Sequence, residues 1–213
     1  ERFSTWSGPF TTTNAKQAVL TFRGLAYEGL DADSYSATDF TTAQKFLRIL
    51  SGLHGILRPL DLIQPYRLEM GSRFNPPRGG DLYGFWDRRL TASIIKAVAG
   101  QPGTSVINLA SKEYFRAVHE EDLKGPVITP VFKEVKNGVA KVLGMFAKRA
   151  RGAMARYIIE NRLERAEQLK NDYVKLQEDE LEKVANQAKR KKVRLTISTP
   201  GGYRLVAMNG EEP

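Results

Sequence analysis

With 213 residues, 41% of them apolar and 27% charged, the chain is long enough for one sizeable domain with a real core. The absence of cysteine excludes disulfides, thiol catalysis and cysteine metal sites, and fits a reducing, cytoplasmic setting. A formal charge of +9 makes polyanions the partners to consider, nucleic acid first, and no run of about 18 apolar residues exists to cross a membrane.

Residues 1–13 carry Phe3, Trp6 and Phe10 among small polar residues and read as an irregular arm held down by its aromatics. The start at Glu1 rather than Met points to a missing N-terminal piece. Asn14 is placed as the N-cap of a helix through Ala15, Ala18, Val19 and Phe22, which Gly24 stops. Tyr27, Gly29 and Leu30 then read as a turn with a core contact. Ser34, Ser36 and Thr38 offer caps for a helix over residues 39–51, with Ala43, Phe46, Leu47 and Leu50 on one face. Pro59 and Pro65 forbid a long helix beyond it, and residues 66–70 read as a strand that shows Arg67 and Glu69 on one polar side.

Residues 75–80 are a proline- and glycine-rich loop, after which Asp81 caps a helix that carries Leu82, Phe85, Leu90, Ile94 and Val98 to Gly100. Residues 104–109 form a short apolar strand with Asn108 near its end, and residues 111–119 a small helix. Asn137 and Gly138, between two apolar runs, predict a hairpin. The following helix gathers Phe146, Ala150, Ala153, Met154, Tyr157 and Ile158 on one side and Lys148, Arg149, Arg151, Arg156 and Arg162 on the other. Residues 172–192 predict a charged helix, acidic first and basic last. Strands over residues 193–198 and 203–208, around Pro200 and Gly201, predict a C-terminal hairpin. Helices and strands mix without regular alternation, so the expected architecture is α+β: a single domain, residues 1–213, with a mixed sheet flanked by helices.

Three groups of residues carry candidate chemistry. Ser51, Gly52, His54, Gly55 and Arg58 suit a backbone-and-guanidinium contact to phosphate, and equally a tight chain reversal with a surface arginine. Lys148, Arg149, Arg151, Arg156 and Arg162 suit a DNA-backbone track, or a solvated helix face. Arg67, Glu69, Asn108, Ser111, Glu113 and Tyr114 are candidates to line a pocket, with Glu69 as a base; an Arg67–Glu69 ion pair and a Ser111 N-cap explain them too. His54 and His119 lack ligand-spaced partners, and no metal site or cofactor is expected.

The segments LSGLHGILRPLDLIQPYRLEMG, DLYGFW, INLASKEYF, AKRARGAMARYIIENR and FRGLAYEGL together resemble the YaaA family of bacterial peroxide-stress proteins, over residues 2–170. The resemblance implies a cytosolic protein induced by hydrogen peroxide, which keeps free iron low and limits oxidative damage to DNA. It also implies an α+β fold with a helix-hairpin-helix-like element and binding to DNA; the expected partner is double-stranded or branched DNA, with little sequence specificity because no dedicated base-reading element is present in the sequence. That element would place residues 40–50 as its first helix and Ser51 to Gly55 as its hairpin. Gly52 and Gly55 stand one residue further apart than the usual pattern, and Pro59 falls early in the second helix. The family's N-terminal strand, with its Ser-Pro-Ala-Lys motif, is absent from this chain, and the resemblance fades after residue 172. The alternative function is an enzyme acting on a nucleotide or other phosphorylated small molecule, in a pocket built from the PYRLEMG, INLASKEY and AKRARG segments.

Overall fold

Caps and strand alternation account for most of the architecture. The computed structural model describes residues 6–99, 104–132 and 144–164, together with the backbone of strands at 134–136, 139–141, 192–193 and 202–209. β1 (Lys16–Gln17) runs into the single turn of α1 (Ala18–Thr21), and α2 (Leu25–Leu30) follows. Tyr27 and Leu30 are therefore helical, not in a turn. Asn14 caps no helix: its amide donates to the Ser7 and Pro9 carbonyls and its oxygen accepts the Thr11 amide, closing the N-terminal arm on itself.

α3 (Ala37–Phe46) starts at a capping box, in which the Ser36 hydroxyl accepts the Asp39 amide and the Asp39 carboxylate accepts the Ser36 amide. The chain then leaves the helix for β2 (Leu47–Ser51), reverses, and returns as β3 (Gly55–Leu57), antiparallel to β2. Residues 39–51 are thus a helix followed by a strand, and the expected helix-hairpin-helix element is instead a β-hairpin. The physical reason is burial on both faces. Leu47, Ile49 and Leu50 are all inaccessible to solvent, which an inner strand achieves and an amphipathic helix cannot.

β4 (Leu62–Ile63) pairs with β1, and residues 64–69 are irregular, so the strand expected at 66–70 is absent. α4 (Leu82–Trp86) is capped by Asp81, whose carboxylate accepts the Gly84 amide. Asp87, at φ 40°, separates it from α5 (Arg88–Val98), so the single helix expected here is two. β5 (Thr104–Asn108) leads to α6 (Lys112–Phe115), where Ser111 is the N-cap. β6 (Val127–Ile128) precedes the hairpin of β7 (Glu134–Lys136) and β8 (Val139–Lys141), whose register puts Lys136 beside Val139 across Asn137 and Gly138. α7 (Gly144–Glu160), β9 (Lys192–Val193) and β10 (Gly202–Asn209) complete the described elements.

The main sheet has the order β3-β2-β10-β5-β6, with β3 antiparallel at its edge and the other four parallel. β10 sits in the middle of that sheet, while β9 joins β7 in a separate one. The expected C-terminal hairpin is therefore replaced by two strands in different sheets: a parallel central slot offers β10 partners on both edges, a hairpin on only one. The charged helix expected at 172–192 lies outside the described residues, save that Lys192 begins β9.

Alternation along the strands makes two cores. Ile49 and Ile107 face the layer of α1, α2, α3 and α7, packing with Phe22, Leu30 and Ile158. Their neighbours Leu50 and Val106 face the layer of α4, α5 and α6, packing with Leu82, Leu90, Ile94 and Phe115. The fold is α+β, a mixed sheet between two layers of helices.

Candidate functional site

β2 and β5 flank β10 in parallel, with Leu50 beside Asn209 and Asn108 beside Ala207. Ser51 and Asn108 therefore end up at the same, carboxyl-terminal edge of the sheet, where α/β folds collect binding groups. Two arrangements of side chains occur along that edge.

The first is a cleft of about 560 Å³ between α6 and α7. Asn108 lines it, and its amide ties two segments together: the nitrogen donates to the Thr129 hydroxyl at 3.2 Å and the oxygen accepts the Ala110 amide at 3.0 Å. Asn108 thus fixes the spacing of the loops that follow β5 and β6. Lys112 and Arg116 contribute cationic side chains from α6 and its C-cap, Arg151 another from α7, and Glu120 one carboxylate. The Arg116 guanidinium lies over the Tyr83 ring, 4.5 Å from its centroid. Phe115, Val118, Pro130, Val131 and Phe132 supply the apolar walls.

The second arrangement surrounds Ser51. Its hydroxyl meets the Tyr66 hydroxyl at 2.5 Å and accepts the His54 amide at 2.9 Å. The His54 ring stands edge-on to Tyr66 and stacks parallel to Trp6, with centroids 5.2 and 6.3 Å away. Its Nε2 is buried with no partner among the described residues, and burial pushes the imidazole pKa down. Gly52 and Gly55 are both buried. The Gly52 carbonyl accepts the Trp86 indole N–H at 2.8 Å, and a Cβ at Gly52 would meet the Leu68 carbonyl. Gly55, at φ 74°, lies under the Trp86 ring. Arg58 is clamped to Asp61 through backbone and guanidinium. These contacts are those of a tight chain reversal packed beneath a tryptophan.

The remaining predicted residues divide between packing and surface. Arg67 and Glu69 are exposed on the irregular segment after Pro65. Glu113 accepts the Gly71 amide at 2.8 Å, joining that segment to α6. Tyr114 is buried, and its phenol pKa is raised by burial, with Tyr66, Glu113 and Glu69 adding to it. Of the proposed pocket residues, Asn108 alone lines the cleft, joined there by Arg151 from the helix-face set. Arg67, Glu69, Ser111, Glu113 and Tyr114 do not line it. Lys112, Arg116 and Thr129 are the residues that sequence reasoning passed over. Lys112 and Arg116, four apart beside Asn108, were the available signal.

On α7, Arg156 is mostly buried and bridges Asp31 at 2.7 Å and Glu160 at 2.8 Å. Arg162 lies 3.5 Å from Asp39, and Arg149 pairs with Glu28 at 3.3 Å while both remain half exposed. Lys148 is exposed one turn before Arg151. Among the described residues, His119, Glu121 and Asp122 could together approach a cation, their ligand atoms lying within 4.8 Å. The Arg88 guanidinium already holds Asp122 there, and His119 contacts Glu121 and Asp87.

A family model described as "Peroxide stress protein YaaA" matches residues 1–182. UPF0246 proteins of Cellvibrio japonicus and Alteromonas mediterranea are each 55% identical to the chain, over 171 and 170 residues. That of Paraburkholderia xenovorans is 54% identical over 173 residues. Each alignment covers 80% of this chain and 66% of the relative, so the chain spans just under two thirds of the length of these curated relatives.

Proposed function

The chain belongs to the peroxide stress protein YaaA family, and from that premise we propose that it binds DNA through the phosphate backbone and so helps protect DNA from iron-dependent oxidative damage. The observation that supports this reading is the run of cations from the cleft onto α7: Lys112, Arg116 and Arg151 at the cleft, then Lys148 and Arg149 on exposed helix surface. The +9 charge adds a long-range attraction for polyanions. The Arg149–Glu28 pair is solvent-exposed, and such pairs contribute at most about 1 kcal/mol, so a phosphate can displace the carboxylate. Arg156 and Arg162, tied to Asp31 and Asp39, serve packing in this reading.

Neutralising phosphates releases the counterions condensed around them, ferrous ions included, which connects backbone binding to protection from iron chemistry. Phosphate contacts carry no sequence information, so little specificity is expected. Such a role belongs in the cytoplasm; among the described residues no helix is long and apolar enough to cross a membrane.

Fluorescence polarisation with labelled duplex and branched DNA across a salt series tests the reading. Affinity is expected to fall steeply with salt, with a shallower slope in the Lys148→Gln, Arg149→Gln double variant. Binding indifferent to salt, or unchanged in that variant, would sink it.

A further inference from the structure

We propose that the cleft between α6 and α7 binds a nucleoside monophosphate, either a free mononucleotide or the 5′-phosphorylated terminal nucleotide of a DNA strand. The inference stands on the cleft and does not depend on duplex binding along α7. At about 560 Å³ the cleft lies within the usual range for small-molecule sites and greatly exceeds what a lone phosphate fills. Its charges are of two kinds. Lys112, Arg116 and Arg151 line it from two elements, and their cations suit a phosphate dianion. Glu120 would repel a wholly anionic ligand but accepts hydrogen bonds from sugar hydroxyls or a base amino group.

The remaining wall is apolar. Phe115, Val118, Pro130 and Val131 offer a surface on which a flat heterocycle buries its faces, with the Thr129 hydroxyl as a further polar partner. Asn108 is a positioning residue: its amide joins Thr129 to Ala110 and so ties together the segments that follow β6 and β5 beside the cleft. An anionic group joined to a hydroxylated, flat, partly apolar body matches all three features at once. Inorganic phosphate matches only the first, and an unphosphorylated nucleoside only the other two.

Isothermal titration calorimetry on the full chain tests this with AMP, GMP, CMP and UMP, against adenosine and inorganic phosphate. At least one mononucleotide is expected to bind, with adenosine and inorganic phosphate weaker by roughly tenfold or more, the scale of a lost charge-assisted hydrogen bond. Arg151→Gln should bring a similar loss. Because Arg151 also contributes to the surroundings of α7, a second variant is needed: Val131→Trp, at a position 43% exposed, should fill the mouth and abolish binding with an unchanged melting temperature. Short single strands with and without a 5′-phosphate separate the two sources: tight binding of free mononucleotide assigns the free ligand, and binding only of the phosphorylated strand assigns the strand end. Absence of binding by every mononucleotide and by the phosphorylated strand overturns the proposal, as does binding that survives both variants. Mononucleotide binding that persists in the Lys148→Gln, Arg149→Gln variant supports the cleft independently of duplex binding, and its loss there overturns that independence.

Discussion

Gly152 of α7 lies so close to Ala26 of α2 that the Ala26 carbonyl oxygen occupies the place a Cβ on residue 152 would take. The contact is reciprocal, since the Arg149 carbonyl oxygen fills the corresponding place at Gly29. Two backbones thus touch directly where the cationic helix meets the helix carrying Glu28, and that approach brings Arg149 and Arg156 within reach of Glu28 and Asp31.

Gly152→Ala should therefore destabilise the fold by on the order of 2 kcal/mol or more, because backbone atoms cannot yield as a flexible side chain would. Gly144→Ala, at the start of the same helix with open space around its Cβ position, is the control and should be near neutral. Urea unfolding of both variants measures the difference. Equal midpoints would contradict the close contact.

Arg156 and Lys148 should separate stability from binding. Arg156→Ala removes a partly exposed bridge to Asp31 and Glu160 and should cost about 1 kcal/mol of stability while leaving DNA affinity nearly unchanged. Lys148→Ala should do the reverse. Paired denaturation and polarisation measurements decide, and a drop in DNA affinity for Arg156→Ala at intact stability would return that residue to the binding surface.

His54 should make stability fall as the pH drops below about 6.5, the ordinary histidine value. Burial lowers its pKa in the folded protein, so within the window between the folded and unfolded values the unfolded chain binds more protons. Stability from the neutral imidazole is complete above that window and is lost as pH falls through the folded value. Asp39, whose carboxyl the Ser36 hydroxyl holds below its usual range, acts only at lower pH. His54→Phe keeps an aromatic ring beside Trp6 and Tyr66 and should flatten the decline in urea midpoint between pH 7.5 and pH 5.5. An identical decline in both proteins would assign it to other groups.

Ending the chain before residue 202 should abolish cooperative unfolding, because β10 is the partner of both β2 and β5. Circular dichroism melts would show the loss, and hydrogen exchange should report deprotection at 47–51 and 104–108 together. A truncated chain that melts like the 213-residue one would remove β10 from the sheet.

The features legible in the sequence were the local ones. Asp81 and Ser111 were readable as caps because a side-chain oxygen satisfies an amide three residues on, and the pairing of residues 134–136 with 139–141 because an Asn-Gly dipeptide between apolar runs favours a hairpin. The segments LSGLHGILRPLDLIQPYRLEMG, DLYGFW, INLASKEYF, AKRARGAMARYIIENR and FRGLAYEGL likewise sufficed to identify the family. Residues 47–50 misled for a stated reason: an apolar run buried on two faces has the same hydrophobic content as the end of an amphipathic helix.

Family membership, an α+β content and the surplus of cations are fixed by residue identity alone. The tertiary structure decided which cations remain at the surface, which are taken up by Asp31, Asp39 and Glu28, and that Asn108 and Arg151 share a cleft with Lys112 and Arg116. It also decided that the last described strand lies at the centre of the sheet. The physical reason is common to all of these. Strand pairing and ion pairing join residues far apart in the chain, Val206 with Leu47 and Arg156 with Asp31, the latter two 125 positions apart, and no local pattern records which distant partner will lower the free energy most.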